Sequence, residues 1–131
     1  MAIKTIKANI AEVQGRLWRN RQYLALTQKQ LALIYRATPA TSHRSRAQLR
    51  ALQAAMNRDS RTLAALNQAL QAAIDGQASP QIKELLTRRY INDEPFTAIA
   101  AAMGYDLRWV YRLHARGLAE AGPSPDQGEH G

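Results

Sequence analysis

The sequence predicts an all-α protein: a long antiparallel helical hairpin, coiled-coil-like, followed by a three-helix helix-turn-helix unit. Three observations carry this. Apolar residues recur at alternating three- and four-residue steps over two long stretches. Glycine and proline are scarce, 7 and 5 in 131 residues, and sit at a few points, where an all-β chain would need turn residues throughout. Alanine is abundant and aromatics make up only 6%, which suits thin helical packing and not a thick sandwich. Apolar residues at 46% are ample for a core, which excludes wholesale disorder.

The first element is a helix from about Ile3 to Arg36. Ile3, Ile10, Leu17, Leu24 and Leu31 fill the a positions of a heptad, and Ile6, Val13 and Ile34 fill d positions. Such a sustained seam reads as a coiled-coil-like helix. Asn20 and Thr27 interrupt the d series. The run Thr38-Pro39-Ala40-Thr41-Ser42 breaks the pattern, because a residue before proline avoids helix, and Thr41 or Ser42 can cap the next helix. That second helix is expected from about His43 to Asp75, with a seam of Leu49, Leu52, Met56, Leu63, Leu66, Leu70 and Ala73 and with Asp59 as the odd d position. The three polar seam residues either fix the register of the pair or mark where it splays. Two helices of about 50 Å, at about 1.5 Å per residue, joined by a short break favour an antiparallel hairpin over residues 1–75.

A second apolar stripe lies at b and c of the first helix: Trp18, Ala25, Leu26, Ala32 and Leu33. One partner helix cannot bury both stripes. The expectation is therefore a second contact, either a homodimer through the long helices or docking on the helix-turn-helix unit.

Gly76-Gln77-Ala78 ends the second helix, with Gly76 as a C-terminal cap. Ser79-Pro80 then reads as a cap followed by proline at the first helical position. Residues 79–121 form three helices: Pro80–Ile91, with Ile82, Leu85, Leu86 and Tyr90 on one side; Pro95–Met103; and Leu107–Leu118. The last two are spaced as a helix-turn-helix. Ala100 is the small residue that lets the second helix approach, and Gly104 supplies positive φ in the turn. Phe96, Ile99, Met103, Tyr105, Val110 and Leu113 fill the inside of the angle, and Asp106 can cap the last helix. Residues 122–131 have no apolar side chains and read as a disordered tail.

A recognition helix reads bases through its N-terminal half. Leu107, Arg108, Tyr111 and Arg112 are thus the candidate base contacts, because arginine can donate two hydrogen bonds to guanine O6 and N7. Arg108 and Arg112 are four apart and share a face. Arg88, Arg89 and Arg116 are candidates for phosphate; Arg89 could instead pair with Asp93 or Glu94. Trp109 falls beside the inward face and reads as either core or interface.

From Arg88 to Gly122 the chain resembles the C-terminal half of small phage-encoded transcriptional regulators with a sigma-factor region 4-like fold, the ArpU-like late-gene regulators among them. The match runs through Arg89-Tyr90, Ile99-Ala100, Met103-Gly104-Tyr105, Arg108-Trp109-Val110, Arg112-Leu113-His114 and Arg116. It departs at Asp106, where Ser or Thr is usual, and at Gly117, where Ala is usual. Asp106 brings a negative charge close to DNA, and Gly117 is expected to weaken the end of the helix. The relatives also carry two long helices ahead of the motif. The resemblance implies phage or prophage origin and binding at a promoter, with double-stranded DNA as partner and RNA polymerase as a further one.

Other classes fare worse. There is no cysteine, which removes disulfides, thiolate metal sites and cysteine nucleophiles. His43, His114 and His130 stand apart with no carboxylates in a ligand pattern, so no metal, cofactor or catalytic residue is expected and the chain does not read as an enzyme. His114 reads as touching backbone, protein or solvent. No apolar run approaches a signal-peptide core or the roughly 20 residues of a membrane helix, so a soluble, intracellular protein is expected; the resemblance to phage regulators implies the cytoplasm of a bacterial host. A phage DNA-packaging adaptor resembling a small terminase subunit, or a polymerase-binding helical module, are the rival readings.

The net charge of +8 first suggests nucleic acid. It is unevenly spread: residues 1–75 hold 12 basic and 3 acidic residues, and residues 76–131 hold 6 and 7. The expected DNA reader is therefore near neutral overall, and the case for DNA rests on the Ala100–Gly104–Val110 pattern.

Overall fold

The computed structural model describes the backbone at residues 2–35 and 39–120, and the side chains at 2–30, 32–33 and 46–119. It is all-α. Helix α1 spans Ile3–Tyr35, α2 Pro39–Asp75, α3 Pro80–Leu86, α4 Phe96–Met103 and α5 Leu107–Glu120; a π-helical turn, Thr87–Ile91, continues α3. No strand occurs among the described residues. The chain divides into two compact units, one being Ile10–Leu66, the other combining Met1–Asn9 with the chain from Asn67 onward.

In the Ile10–Leu66 unit the apolar seam is the core. Val13, Leu17 and Met56 are buried together, with Leu24, Leu52, Leu63 and Leu66 packed against them. Arg16 lies 19 residues before the end of α1 and Asp59 lies 20 after the start of α2. They meet in a two-pronged ion pair, Nη2 to Oδ1 at 3.0 Å and Nε to Oδ2 at 3.1 Å, the pairing expected of helices running in opposite directions. The interruption at Asp59 thus holds an arginine from the facing helix. That hydrogen bond keeps the Asp59 carboxyl below its ordinary range. The second stripe is uncovered: Trp18 is 62% exposed, Leu26 55% and Leu33 72%.

In the other unit, α3 buries Ile82, Leu85 and Leu86, α4 buries Ile99 and Ala100, and α5 buries Val110 and Leu113. Ile3 and Ile6 of α1 and Leu70 and Ile74 of α2 complete this core. Its helix ends follow the sequence signals. Ser79 Oγ accepts from the Ile82 N–H at 3.3 Å, with Pro80 in the first turn. Gly104 takes φ 72°, and the N–H groups of Gly104 and Tyr105 both donate to the Ala100 carbonyl. Asp106 Oδ1 accepts from the Trp109 N–H at 2.8 Å, which caps α5 as expected.

Several expectations are corrected. Helix α2 begins at Pro39, not His43. Proline lacks an N–H that the first turn does not need, and its φ is already helical, so it starts the helix. Thr41 and Ser42 therefore lie within α2 and not ahead of it, while the connection at 36–38 falls outside the described residues. The helix read as Pro80–Ile91 is α-helical only to Leu86. Its last turn widens, with the Asn92 N–H donating to the Thr87 carbonyl at 3.0 Å. Helix α4 starts at Phe96, with Pro95 before it in extended conformation, and α5 continues past Leu118 to Glu120. Gly76 closes α2 without positive φ, the Gly76 N–H donating to the Ala72 carbonyl. Residues 122–131 lie outside the described residues.

Gly117 carries the largest correction. It does not simply weaken the end of α5: it is buried, and a Cβ there would sit 2.7 Å from Ile82 Cγ2 and 3.2 Å from Leu86 Cδ1. The absence of a side chain lets α5 lie directly on α3. Buried Gln77 adds a long bond from Nε2 to the Gly117 carbonyl at 3.4 Å.

Gly117→Ala should therefore lower stability. Overpacking against a β-branched neighbour costs about 1–3 kcal/mol, and alanine's better helix propensity returns about 1 kcal/mol. The expected net loss of about 1 kcal/mol would appear as a drop in Tm of roughly 3–6 °C in thermal unfolding followed by circular dichroism. A rise in Tm would contradict the close packing.

Candidate nucleic-acid interface

The roll of α5 about its own axis determines the site. Val110, Leu113 and Gly117 are buried and lie on one side of the helix. At 100° per residue, the opposite side carries Arg108, Arg112 and Ala115, with Arg116 following Arg112 along the same row at the flank, all exposed. Among the described residues, no carboxylate lies within ion-pair distance of these three arginines. Leu107 is half-buried at the start of the helix, beside the Gly104–Asp106 turn. Tyr111 is 49% exposed, with its ring edge-on to Phe96 at 5.1 Å between centroids. Trp109 is 38% exposed, at the margin of the outward face.

The remaining candidates lie elsewhere. Arg88 is held by two carboxylates, Nε to Glu84 at 3.0 Å and Nη1 to Glu94 at 3.3 Å. Its hydrogen bond to Glu84, then that to Glu94, raises its pKa further. Arg89 donates from Nη1 to the Glu94 backbone carbonyl at 3.1 Å and lies over the Phe96 ring at 4.2 Å from its centroid. The structure thus gathers Arg108, Arg112 and Arg116 on one face, ties Arg88 to acids, and sets Arg89 on an aromatic ring.

Of the packing residues, Ile99, Ala100, Val110 and Leu113 are buried, and Phe96, Met103 and Tyr105 are half-buried around the α4–α5 turn. Gly104 is exposed.

Sequence reasoning missed a second cluster on the opposite flank of α5. The Tyr90 hydroxyl and His114 Nε2 share a hydrogen bond of 2.7 Å, and their rings stack at 5.7 Å. Phe96 meets His114 edge-on at 4.9 Å. From α1, Lys7 Nζ donates to the Tyr90 carbonyl at 3.0 Å and pairs with Asp93 at 2.8 Å. Asp93 is the only non-glycine residue with positive φ, 55°, among the described residues. Burial, then the positive charges of Lys4 and Arg89, lowers the His114 pKa below its ordinary value. Burial raises that of Tyr90. The lysines are over 80 residues from Tyr90 and His114, so no local spacing could have announced this cluster.

No helix among the described residues is long and apolar enough to cross a membrane. No protein-family model, curated protein or solved structure matches the chain.

The His114 environment sets a pH dependence. With a folded-state pKa below 6.5, the unfolded chain takes up the proton first as pH falls. Stability from this group is therefore full above about pH 6.5 and declines as pH drops towards the lower folded value. Thermal unfolding at about pH 7.5 and 5.5 should show a larger loss in the wild type than in His114→Gln, which cannot titrate. Equal losses in the two would contradict the assignment.

Proposed function

We propose that this chain is a sequence-specific DNA-binding transcriptional regulator of phage or prophage origin, resembling sigma-factor region 4, with residues 107–118 reading the major groove. The supporting observation is the outward face of α5. Arg108, Arg112 and Arg116 stand exposed there, without acid partners among the described residues, on a helix whose buried side is held by Val110, Leu113 and Gly117. The left-handed Gly104 and the Asp106 cap set the start of that helix, so its N-terminal half leads into the groove. Arg108 and Arg112 serve as the base contacts, with Leu107 and Tyr111 beside them. Arg116 meets phosphate. Arg89 contributes positive charge from over Phe96, and Arg88 contributes least, since Glu84 and Glu94 already neutralise it.

The resemblance to phage late-gene regulators adds the promoter setting, with RNA polymerase as a further partner in a bacterial cytoplasm. Self-association draws on the exposed Trp18, Leu26 and Leu33. It would double the reading helix and match a two-fold site.

The test is binding to a duplex selected from a randomised library, measured by fluorescence anisotropy across a salt series. Log affinity should fall linearly with log salt, with a slope reflecting the phosphates neutralised. Arg112→Ala should weaken the selected duplex by roughly 5- to 150-fold, about 1–3 kcal/mol, and leave a scrambled duplex nearly unchanged. Equal affinity for both duplexes, before and after the substitution, would refute base readout. A ring of many subunits in sedimentation would favour a packaging adaptor instead.

A further inference from the structure

The Tyr90–His114 cluster opens on a cleft of about 370 Å³, lined by Lys4, Lys7, Arg89, Tyr90, Phe96 and His114. We propose that this cleft binds a phosphate group, held by Lys4, Lys7 and Arg89.

The cations are placed before any ligand arrives. Lys7 is fixed by the Tyr90 carbonyl and by Asp93. The Arg89 guanidinium is held by its stacking on Phe96, and only Nη1 is drawn to the Glu94 carbonyl, leaving other N–H donors for an anion. Lys4 is exposed at the rim, with no ion partner among the described residues. Among the described residues, Asp93 is the carboxylate that adjoins this cleft, in a smaller recess that also includes Lys7, Arg89 and Tyr90. Three cations against one acid leave the cleft at a formal +2. The field is felt inside it, since Lys4 and Arg89 both disfavour protonation of His114. Placed cations with spare donors, beside the aromatic rings of Tyr90 and Phe96, match the chemistry of a phosphate oxyanion.

Two sources supply that chemistry. One is a backbone phosphodiester of DNA, because Phe96 joins the cleft to Tyr111 near the start of α5. The other is a free phosphorylated small molecule. The first rests on the DNA-binding reading above; the second does not.

The experiment uses the full chain and two probes. Inorganic phosphate is titrated against chloride at constant ionic strength, with the side-chain NMR signals of His114 and Tyr90 as the readout. A non-specific duplex of about 20 base pairs is titrated across a salt series. Phosphate, and not chloride, should give saturable shifts at both residues. Lys4→Gln, an exposed position, should weaken them several-fold without altering Tm. Asp93→Asn, which removes the repelling carboxylate and tolerates positive φ, should strengthen them. If Lys4→Gln also lowers the salt slope on the duplex by about 0.9, the source is the DNA backbone. If the slope is unchanged while the shifts weaken, the source is a free phosphorylated molecule. A chain that binds no duplex yet keeps the phosphate shifts upholds the cleft and rejects the DNA reading. Identical shifts with chloride, or phosphate shifts indifferent to both substitutions, overturn the proposal.

Discussion

The approach of α5 to α3 at Gly117 is the contact on which the C-terminal unit depends. This chain has few large side chains to build a core, and it compensates by bringing backbones together. Ile82 and Leu86 occupy the space that a Cβ at 117 would take. Val110 and Leu113 bury on the same side of the helix, so α5 cannot roll without exposing them. Once the roll is fixed, the positions of Arg108, Arg112 and Arg116 follow from helical geometry alone. The Gly104 turn and the Asp106 cap fix where that helix begins.

Charge is distributed by the same logic. The unit is close to neutral, yet its arginines have different surroundings. Glu84 and Glu94 take Arg88, and Phe96 with the Glu94 carbonyl takes Arg89. The arginines of α5 are left exposed. The basic excess of the chain lies instead on the long helices, where no acid occurs from Val13 to Arg58. Net charge alone therefore does not single out a surface, because screening and local pairing decide which cations present a field.

Much of the fold was legible in the sequence, because its signals are local and periodic. The heptad seam placed Val13, Leu17 and Met56 in one core. Ser79, Gly104 and Asp106 announced helix ends through chemistry confined to three or four residues. What escaped depends on neighbours far along the chain. Pro39 read as a break, although a proline also suits a first turn. Asp59 read as an interruption because Arg16, 43 residues away, was invisible to periodicity. Gly117 read as a weak helix end because Ile82 lies on another element. The outward arginines of α5 were legible from helical spacing, whereas the Lys4–Lys7 contribution beside His114 required the fold itself.

The central claim, that the exposed face of α5 is the DNA-reading surface, is tested most directly by chemical-shift mapping. The isotope-labelled full chain would be titrated with its selected duplex. The account predicts that the largest changes fall on the backbone amides and guanidinium groups of Arg108, Arg112 and Arg116 and on Tyr111, with Val110 and Leu113 changing less. Changes concentrated on α2, at exposed Arg50, Arg58 and Arg61, with α5 silent, would contradict it.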